Sequence, residues 1–383
     1  MSAQSKYEYS TAIRERYQHA SRKDKTMILD EFCMVCGYHR KYAIRLLNAP
    51  HVADRPANLS RRGRKKVYAA PVIVDVLRDL WVMTNLPCSK RLHAIMPLWL
   101  PFYDQRSLTI ELRQQLVAIS PATIDRLMAP LRAKYRKQGL ATTKPGSLLR
   151  HHIPIKTEQW DQSQPGFVEV DTVAHCGTTT EGMFVYTINC VDIATTWTEQ
   201  RAVWGKGEKG VLNAMTAIEG HLPFPLRGFD CDNGSEFINW HLYRHFTQRK
   251  SPVQFTRSRP YKKNDNAHVE EKNYTHVRQY LGYQRFDKPE LVDQLNELYA
   301  NQWNQLLNFF IPSSKLLTKY RDGTRIKKLR DAPRTPLQRV LASPHIPETT
   351  KQQLQSQLEQ LNPIELWHQM KRKINAIIQQ VNS

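Results

Sequence analysis

The chain lacks any run of about 18 apolar residues, so no segment is expected to span a bilayer. Its first residues, Met1-Ser2-Ala3-Gln4-Ser5-Lys6, show nothing of the apolar stretch that marks a secretory leader. Cysteine is scarce: six residues, at 33, 36, 88, 176, 190 and 231, too scattered for a disulfide framework. Cys33 and Cys36 have metal-ligand spacing, but no second pair follows and the surrounding pattern is an apolar helix, so buried thiols are expected rather than zinc. Repeats and low-complexity tracts are absent as well. No long amphipathic basic helix stands out, which removes the membrane surface as the reason for the charge. A cytoplasmic, nucleoid-associated protein with no membrane partner and no small-molecule substrate is the expectation.

Positive charge is what the chain has in excess. The formal balance is +21 over 383 residues. Residues 1–150 carry 27 Lys and Arg against 11 Asp and Glu, residues 151–290 carry 16 against 17, and residues 291–383 carry 13 against 7. A basic front half joined to a near-neutral middle fits a polyanion binder with a separate working domain. The length suggests two to four domains.

Residues 1–66 are expected to form a helix-turn-helix DNA-binding region with a basic arm. Met27, Ile28, Phe32 and Val35 fall near one helical face, Gly37 breaks the helix, and a second helix starts at His39. In that pattern Arg40, Lys41 and Arg45 approach DNA, while Tyr42, Ile44 and Leu46 or Leu47 pack. A plain helical hairpin with a solvated basic face is the alternative. Arg61, Arg62, Arg64, Lys65 and Lys66 surround Gly63 in a stretch too charged to pack. Such an arm can lie in a minor groove or along phosphates, or serve as a solvated linker.

Residues 67–138 read as a second helical DNA-binding unit, with Val72, Val76, Leu80 and Met83 at helical spacing and a helix start at Ser120-Pro121. Arg126, Arg132, Lys134, Arg136 and Lys137 would supply its phosphate contacts. Residues 139–165 are the linker. From 166 to 287 the apolar period changes to two, with three strands, then helix, strand, helix and strand. Residues 288–383 are mainly helical, with a small hairpin near Tyr320–Arg325 and a terminal helix pair broken at Asn362-Pro363.

Three carboxylates stand out in the middle segment. Asp171 lies within the strand Phe167-Val168-Glu169-Val170-Asp171-Thr172, where a charge is costly unless it meets a partner or a metal. Asp232 ends a short apolar strand against Asn233-Gly234, at the strand end that faces a ligand crevice in such sheets. Glu270 opens a predicted helix. Sixty residues separate the first two and thirty-seven the second two. Clustered oxygen donors suit Mg2+ or Mn2+, and two such ions can activate the attacking oxygen and stabilise the leaving one in phosphodiester chemistry. Singly, each has an innocent reading: Asp171 facing solvent, Asp232 capping its turn, Glu270 in a solvated Glu-Glu pair. Asp192 and Asp230 compete, with Asp230 expected to point outward, and Glu271 sits about 100° around the helix from Glu270.

The segment 166–285, about a third of the chain, resembles the integrase core shared by retroviral integrases and bacterial insertion-sequence transposases. Val168-Glu169-Val170-Asp171-Thr172 matches its first-strand aspartate. Asp232-Asn233-Gly234-Ser235-Glu236-Phe237 matches the second, a motif of high specificity, and Asn264-Asp265-Asn266-Ala267-His268-Val269-Glu270 is similar to its Asn-Gly-x-Val-Glu helix start. The last spacing is slightly longer than usual and Ala267 replaces the common Gly, which leaves 271 as an alternative to 270. The His-His-Cys-Cys set of retroviral members has no counterpart here.

The resemblance implies an α/β (α+β) fold, with an RNase H-like mixed five-stranded sheet flanked by helices, an N-terminal all-α region and a helical C-terminal extension. It implies a DDE transposase with two Mg2+ (or Mn2+) ions on Asp171, Asp232 and Glu270. That enzyme would cleave at transposon ends and transfer the freed 3′-hydroxyl to target DNA without a covalent protein intermediate. Terminal inverted repeats, target DNA and further copies of the chain would be its partners. Arg257, Arg259, Lys262, Lys263, Lys272 and His276 are expected to ring the last carboxylate and hold the backbone. The alternatives are a catalytically inactive DNA-binding regulator and an RNase H-like nuclease that cleaves without joining.

Overall fold

The computed structural model describes residues 1–49, 67–68, 70–104, 108–134, 163–232, 234–258, 267–322 and 325–382. The chain divides into two compact units, Met1–Val67 and Tyr68–Ser383. The arm residues Arg61, Arg62, Arg64, Lys65 and Lys66 lie outside the described residues, as do Arg136, Lys137, Arg259, Lys262 and Lys263.

The first unit is three helices: α1 (Ala3–His19), α2 (Arg22–Cys36) and α3 (Arg40–Leu47). The hydroxyls of Ser2 and Ser21 accept the N–H groups of Ser5 and Asp24, satisfying donors that a helix start leaves open. α2 ends on Gly37 at φ +67°, a left-handed cap that glycine adopts without a Cβ penalty. The core stripe of α2 is Ile28, Leu29, Phe32 and Cys36, rotated from the expected face, so Met27 and Val35 are exposed. α3 departs in the same way. Ala43 and Leu47, four apart, pack inward, whereas Tyr42 and Ile44 are exposed beside Arg40, Lys41 and Arg45. Cys36 is a free, buried thiol pushed above its ordinary pKa by burial.

The second unit is built on one mixed sheet. Its strands are β1 (Phe167–Ala174), β2 (Val185–Asp192), β3 (Thr198–Trp204), β4 (Gly228–Cys231) and β5 (Gln254–Arg257). They lie in the order β3-β2-β1-β4-β5, with β1, β2 and β3 antiparallel and β4 and β5 parallel to β1. The fold is therefore α+β, a five-stranded sheet with helices on its faces, as expected.

Alternation along β1 assigns its residues to two layers. Val168 and Val170 join a core under α8 (Glu208–His221) and α9 (Trp240–Thr247), where Phe229 stacks on Phe246 and Phe255 with ring centroids 5.0 and 4.9 Å apart. Full burial of one such ring is worth about 3 kcal/mol. Val173 points to the second core. There α4 (Pro71–Met83), α5 (Ser89–Trp99), α6 (Ile110–Ala118) and α7 (Pro121–Lys134) pack with α12 (Leu291–Leu298), α13 (Asn304–Phe310) and the C-terminal helices. Those are α14 (Pro336–Ala342), α15 (Glu348–Glu359) and α16 (Pro363–Asn382). Trp99 donates its indole N–H to the Phe310 carbonyl at 3.1 Å, fixing α5 to the end of α13. Arg132 is spent inside this layer, on Asp125 and the Ser89 hydroxyl.

β3 is an edge strand, and exposed edges invite pairing with other chains. Two asparagines close it. The Asn296 amide exchanges hydrogen bonds with Ala202 at 2.7 and 3.0 Å, and Asn308 does the same with Thr198 at 2.9 and 2.8 Å. Among the described residues no helix is long and apolar enough to cross a membrane.

Candidate active site

The sheet register brings the two aspartates together. β1 and β4 run parallel with Val170 opposite Cys231, so Asp171 and Asp232 are the next step on neighbouring strands. Residues paired in this way share a face, and adjacent strands lie about 4.8 Å apart. Asp171 is half-buried, and its carboxyl is raised above the usual range by burial and then by the negative charge of Asp232. Asp232 is raised too, by burial and then by Glu236.

Hydrogen bonds orient both groups. Asp171 Oδ1 accepts the Thr172 N–H at 2.7 Å, and Oδ2 accepts the Asn273 amide at 2.6 Å. Behind this bond runs a row of amides. Asn189 donates to Asn273 Oδ1 at 2.9 Å, and Gln200 donates to Asn189 Oδ1 at 3.1 Å. Asn189 and Gln200 are the successive cross-strand neighbours of Asp171 on β2 and β3, which is why the row is straight. Asp232 Oδ1 accepts the Gly234 N–H at 2.8 Å. A Cβ at 234 would come within 2.7 Å of the Glu236 carboxyl and 2.8 Å of Asp232 Oδ1, so only glycine fits that turn.

The third carboxylate is carried on α10 (Ala267–Lys272), which runs on as a π-helical segment (Asn273–Arg278) and a last turn, α11 (Gln279–Leu281). Glu169, two residues before Asp171 on the same face of β1, fixes the start of this helix. Its Oε2 accepts the N–H groups of His268 and Val269 at 2.9 and 3.2 Å. Asn273 fixes it again at Asp171. Between the two clamps stands Glu270, exposed, three residues before Asn273 and so on the same side of the helix. π turns often mark functional sites, and this one begins at the residue that holds Asp171. Among the described residues no group of three or more His, Cys, Asp or Glu is arranged to hold a metal ion. The register brings Asp171 beside Asp232, and Glu270 stands on the helix that Glu169 and Asn273 hold. Glu271, next along α10, lines a small cavity with Lys315 and Arg330.

Sequence reasoning passed over three participants. Glu236, inside the Asp232–Phe237 motif, is buried, accepts the Thr172 hydroxyl at 2.9 Å and pairs with Lys206 at 2.5 Å. Lys206 also lies over the Tyr186 ring at 5.1 Å. A lysine between Gly205 and Gly207 after a strand was the available signal. Glu169 falls in the apolar–acidic alternation of β1, yet a buried acidic residue one position from a core valine asks for donors.

Other expectations shift. Lys272 and His276 are buried, not on the rim, and their side chains approach at 3.3 Å. Burial lowers both, Lys272 to about 7. Lys272 ends α10 and His276 lies in the π-helical segment that follows, both turned to the interior. Arg257 is buried at the end of β5. Asp230 does not point outward: it is fully buried and accepts the Thr256 hydroxyl at 2.5 Å. Asp192 is buried and accepts from Gly166 N, Thr195 N and the Thr195 hydroxyl at 2.6–2.8 Å, closing the β2–β3 turn.

Fold and site together define an α+β protein with two acidic side chains side by side, Asp171 within β1 and Asp232 just past the end of the parallel strand β4. No family model matches the chain. It is 39% identical over 332 residues to the uncharacterized protein y4rM of Sinorhizobium fredii, a match covering 86% of this chain and 93% of that one, and it belongs to the same family. Among solved structures it is similar to the simian T-cell lymphotropic virus intasome in complex with PP2A regulatory subunit B56 gamma. That likeness has 13% identity and a TM-score of 0.30, and spans 53% of this chain and 65% of that one.

Proposed function

We propose that the chain is a DNA strand transferase of the transposase and integrase type, which cleaves at the ends of a DNA element and joins the freed 3′-hydroxyl to a target. The observation that carries this reading is Asp171 set beside Asp232, with the helix that bears Glu270 tied to β1 through Glu169 and Asn273.

The chemistry of the donors fits divalent ions. Two carboxylates on adjacent strands repel; burial first, and then a neighbouring carboxylate, raise both above the usual range, Asp232 acting on Asp171 and Glu236 on Asp232. A cation between Asp171 and Asp232 relieves the repulsion, and an oxygen-only set selects Mg2+ or Mn2+. Asp171, Asp232 and Glu270 would hold two such ions, which supply charge to the attacking and leaving oxygens of a phosphodiester. The chain's own contribution is orientation. The Asn273 amide and Thr172 N–H hold both Asp171 oxygens, Gly234 turns the Asp232 carboxylate, and Glu169 fixes the angle at which α10 presents Glu270. Preorganisation of this kind is worth several kcal/mol of barrier.

DNA would be gathered by the basic first unit, where α3 exposes Arg40, Lys41 and Arg45. Arg45 lies over the Tyr42 ring at 5.3 Å and Arg40 pairs with Asp30. Inverted-repeat ends, target DNA and further copies of the chain are the proposed partners. The test is a strand-transfer assay with Mg2+ and end DNA taken from the flanks of its own gene, run on the wild type and Asp232→Asn. Joined product from the wild type alone supports the reading. Nicked DNA that is never joined makes the protein a nuclease, and binding without cleavage makes it a regulator.

A further inference from the structure

Outside the main sheet, β6 (Leu316–Asp322) and β7 (Arg325–Arg330) form a two-stranded antiparallel ribbon. Its root is fixed. Lys315 N donates to Asp331 Oδ1 at 2.6 Å, Arg330 donates to the Ser314 carbonyl at 2.9 Å, and Arg339 holds both Asp331 and the Ser313 carbonyl. Beyond the root the ribbon packs on little: Leu317, Tyr320 and Leu329 are all more than half exposed. A bare two-stranded ribbon is marginal in water, so this one asks for a surface to lie on.

Its register says which surface. Cross-strand neighbours share a face. The pairs Lys319↔Lys328 and Arg321↔Ile326 therefore put positions 319, 321, 326 and 328 together, and the pairs Thr318↔Leu329, Tyr320↔Lys327 and Asp322↔Arg325 make up the other face. Like charges at 321 and 328, on one face, weaken a free ribbon. Asp322 neutralises Lys327 on the other face, whereas Arg321 and Lys328 are exposed with no acidic partner among the described residues. A polyanion would turn that repulsion into attraction. The ribbon's root also adjoins the catalytic helix, for Leu316 and Arg330 line a small cavity with His268, Glu271 and Lys272 of α10.

We propose that the β6–β7 ribbon, rooted against α10, is a contact for the phosphate backbone of duplex DNA. The inference rests on the DNA reading above and adds a surface to it. A two-stranded ribbon is one of the shapes a major groove admits, and the two cations at 321 and 328 on one face match a phosphate row.

The experiment is duplex binding by the full-length protein, followed by fluorescence anisotropy without divalent ions across a salt series. It compares wild type, Arg321→Ala/Lys328→Ala and the charge-keeping Arg321→Lys/Lys328→Arg. Loss of two phosphate contacts makes the log–log salt slope shallower by about two and weakens binding roughly tenfold at moderate salt. The charge-keeping pair stays close to wild type. Arg321→Gln/Lys328→Gln replaces the alanine pair if thermal melting shows that it has lost its fold. A wild-type slope in the neutral variants overturns the ribbon proposal and leaves the DNA reading standing. A wild type that binds no duplex removes both. A neutral variant that binds duplex normally but has lost anionic phosphatidylserine vesicles assigns the ribbon to lipid and also overturns the proposal.

Discussion

Glu169 and Asp171 stand two residues apart on the same face of one strand, before the same helix, yet they serve opposite ends. Glu169 is 2% exposed and accepts two helix N–H groups, so its charge is fully employed in placing α10. Asp171 is half-buried, meets a second carboxylate on the next strand, and is pushed toward protonation by that neighbour as well as by burial. The same contrast divides the other acids. Asp192 and Glu199 sit in the interior among donors, Glu199 between the Trp197 indole at 2.9 Å and the Asn304 amide at 2.5 Å. A satisfied buried acid is architecture; two acids that crowd each other at a strand end are chemistry in waiting.

The sharpest way to break this contrast is to neutralise one acid of each kind. Asp232→Asn should lower strand transfer about 10³-fold or more, because it removes an oxygen ligand and a charge from the reacting centre. It should leave the thermal midpoint unchanged or raised, since a repulsion is removed. A midpoint that falls by several degrees would make Asp232 structural. Glu169→Ala should do the reverse in kind. It strands two backbone donors and leaves a void, costing about 3 kcal/mol in denaturant unfolding. Activity should then fall only as far as α10 loosens. Loss of all activity with unchanged stability would move Glu169 into the reacting set.

The interior acids sharpen the comparison through pH. Burial raises Glu199 to about 7, against 4.5 for the free side chain. Between those values the folded protein keeps a proton that the unfolded chain has released, so stability from this group is present in acid and lost as pH rises through 7. The effect is up to about 3 kcal/mol. Unfolding free energies measured from pH 4.5 to 8 should therefore lose part of their downward slope in Glu199→Gln. A slope identical to wild type would mean that Glu199 is ionised throughout.

Much of this was legible in the sequence. The change of apolar period at residue 166, the turn glycines and the strand-end Asp232 were enough for the sheet, its helices and the aspartate pair. Placement about the helix axis was not legible. A basic residue on a short helix reads the same whether it faces solvent or core, so Lys272 and His276 were assigned to the rim although they face inward. Helical phase in α2 and α3 slipped for the same reason. Met27 against Leu29 and Tyr42 against Ala43 are choices that only packing between helices makes. The clamp on α10 was beyond sequence reasoning because Glu169 and His268 are 99 residues apart and nothing local links them.

The smallest effect is expected where charge is exposed in both settings but differently employed. On α3, Arg40 is engaged by Asp30, whereas Lys41 and Arg45 are exposed without an acidic partner among the described residues. Arg45→Ala should weaken duplex binding severalfold, uniformly across sequences, and make the salt slope shallower by about one. Arg40→Ala should do less, because part of its charge is already answered and exposed pairs are worth under about 1 kcal/mol. Lys272→Met, at a buried lysine, should leave the salt slope where it is. Salt titrations of the three variants rank them directly. A shallower slope for Lys272→Met with an unchanged one for Arg45→Ala would reverse the ordering, and would place the DNA backbone at α10 instead of α3.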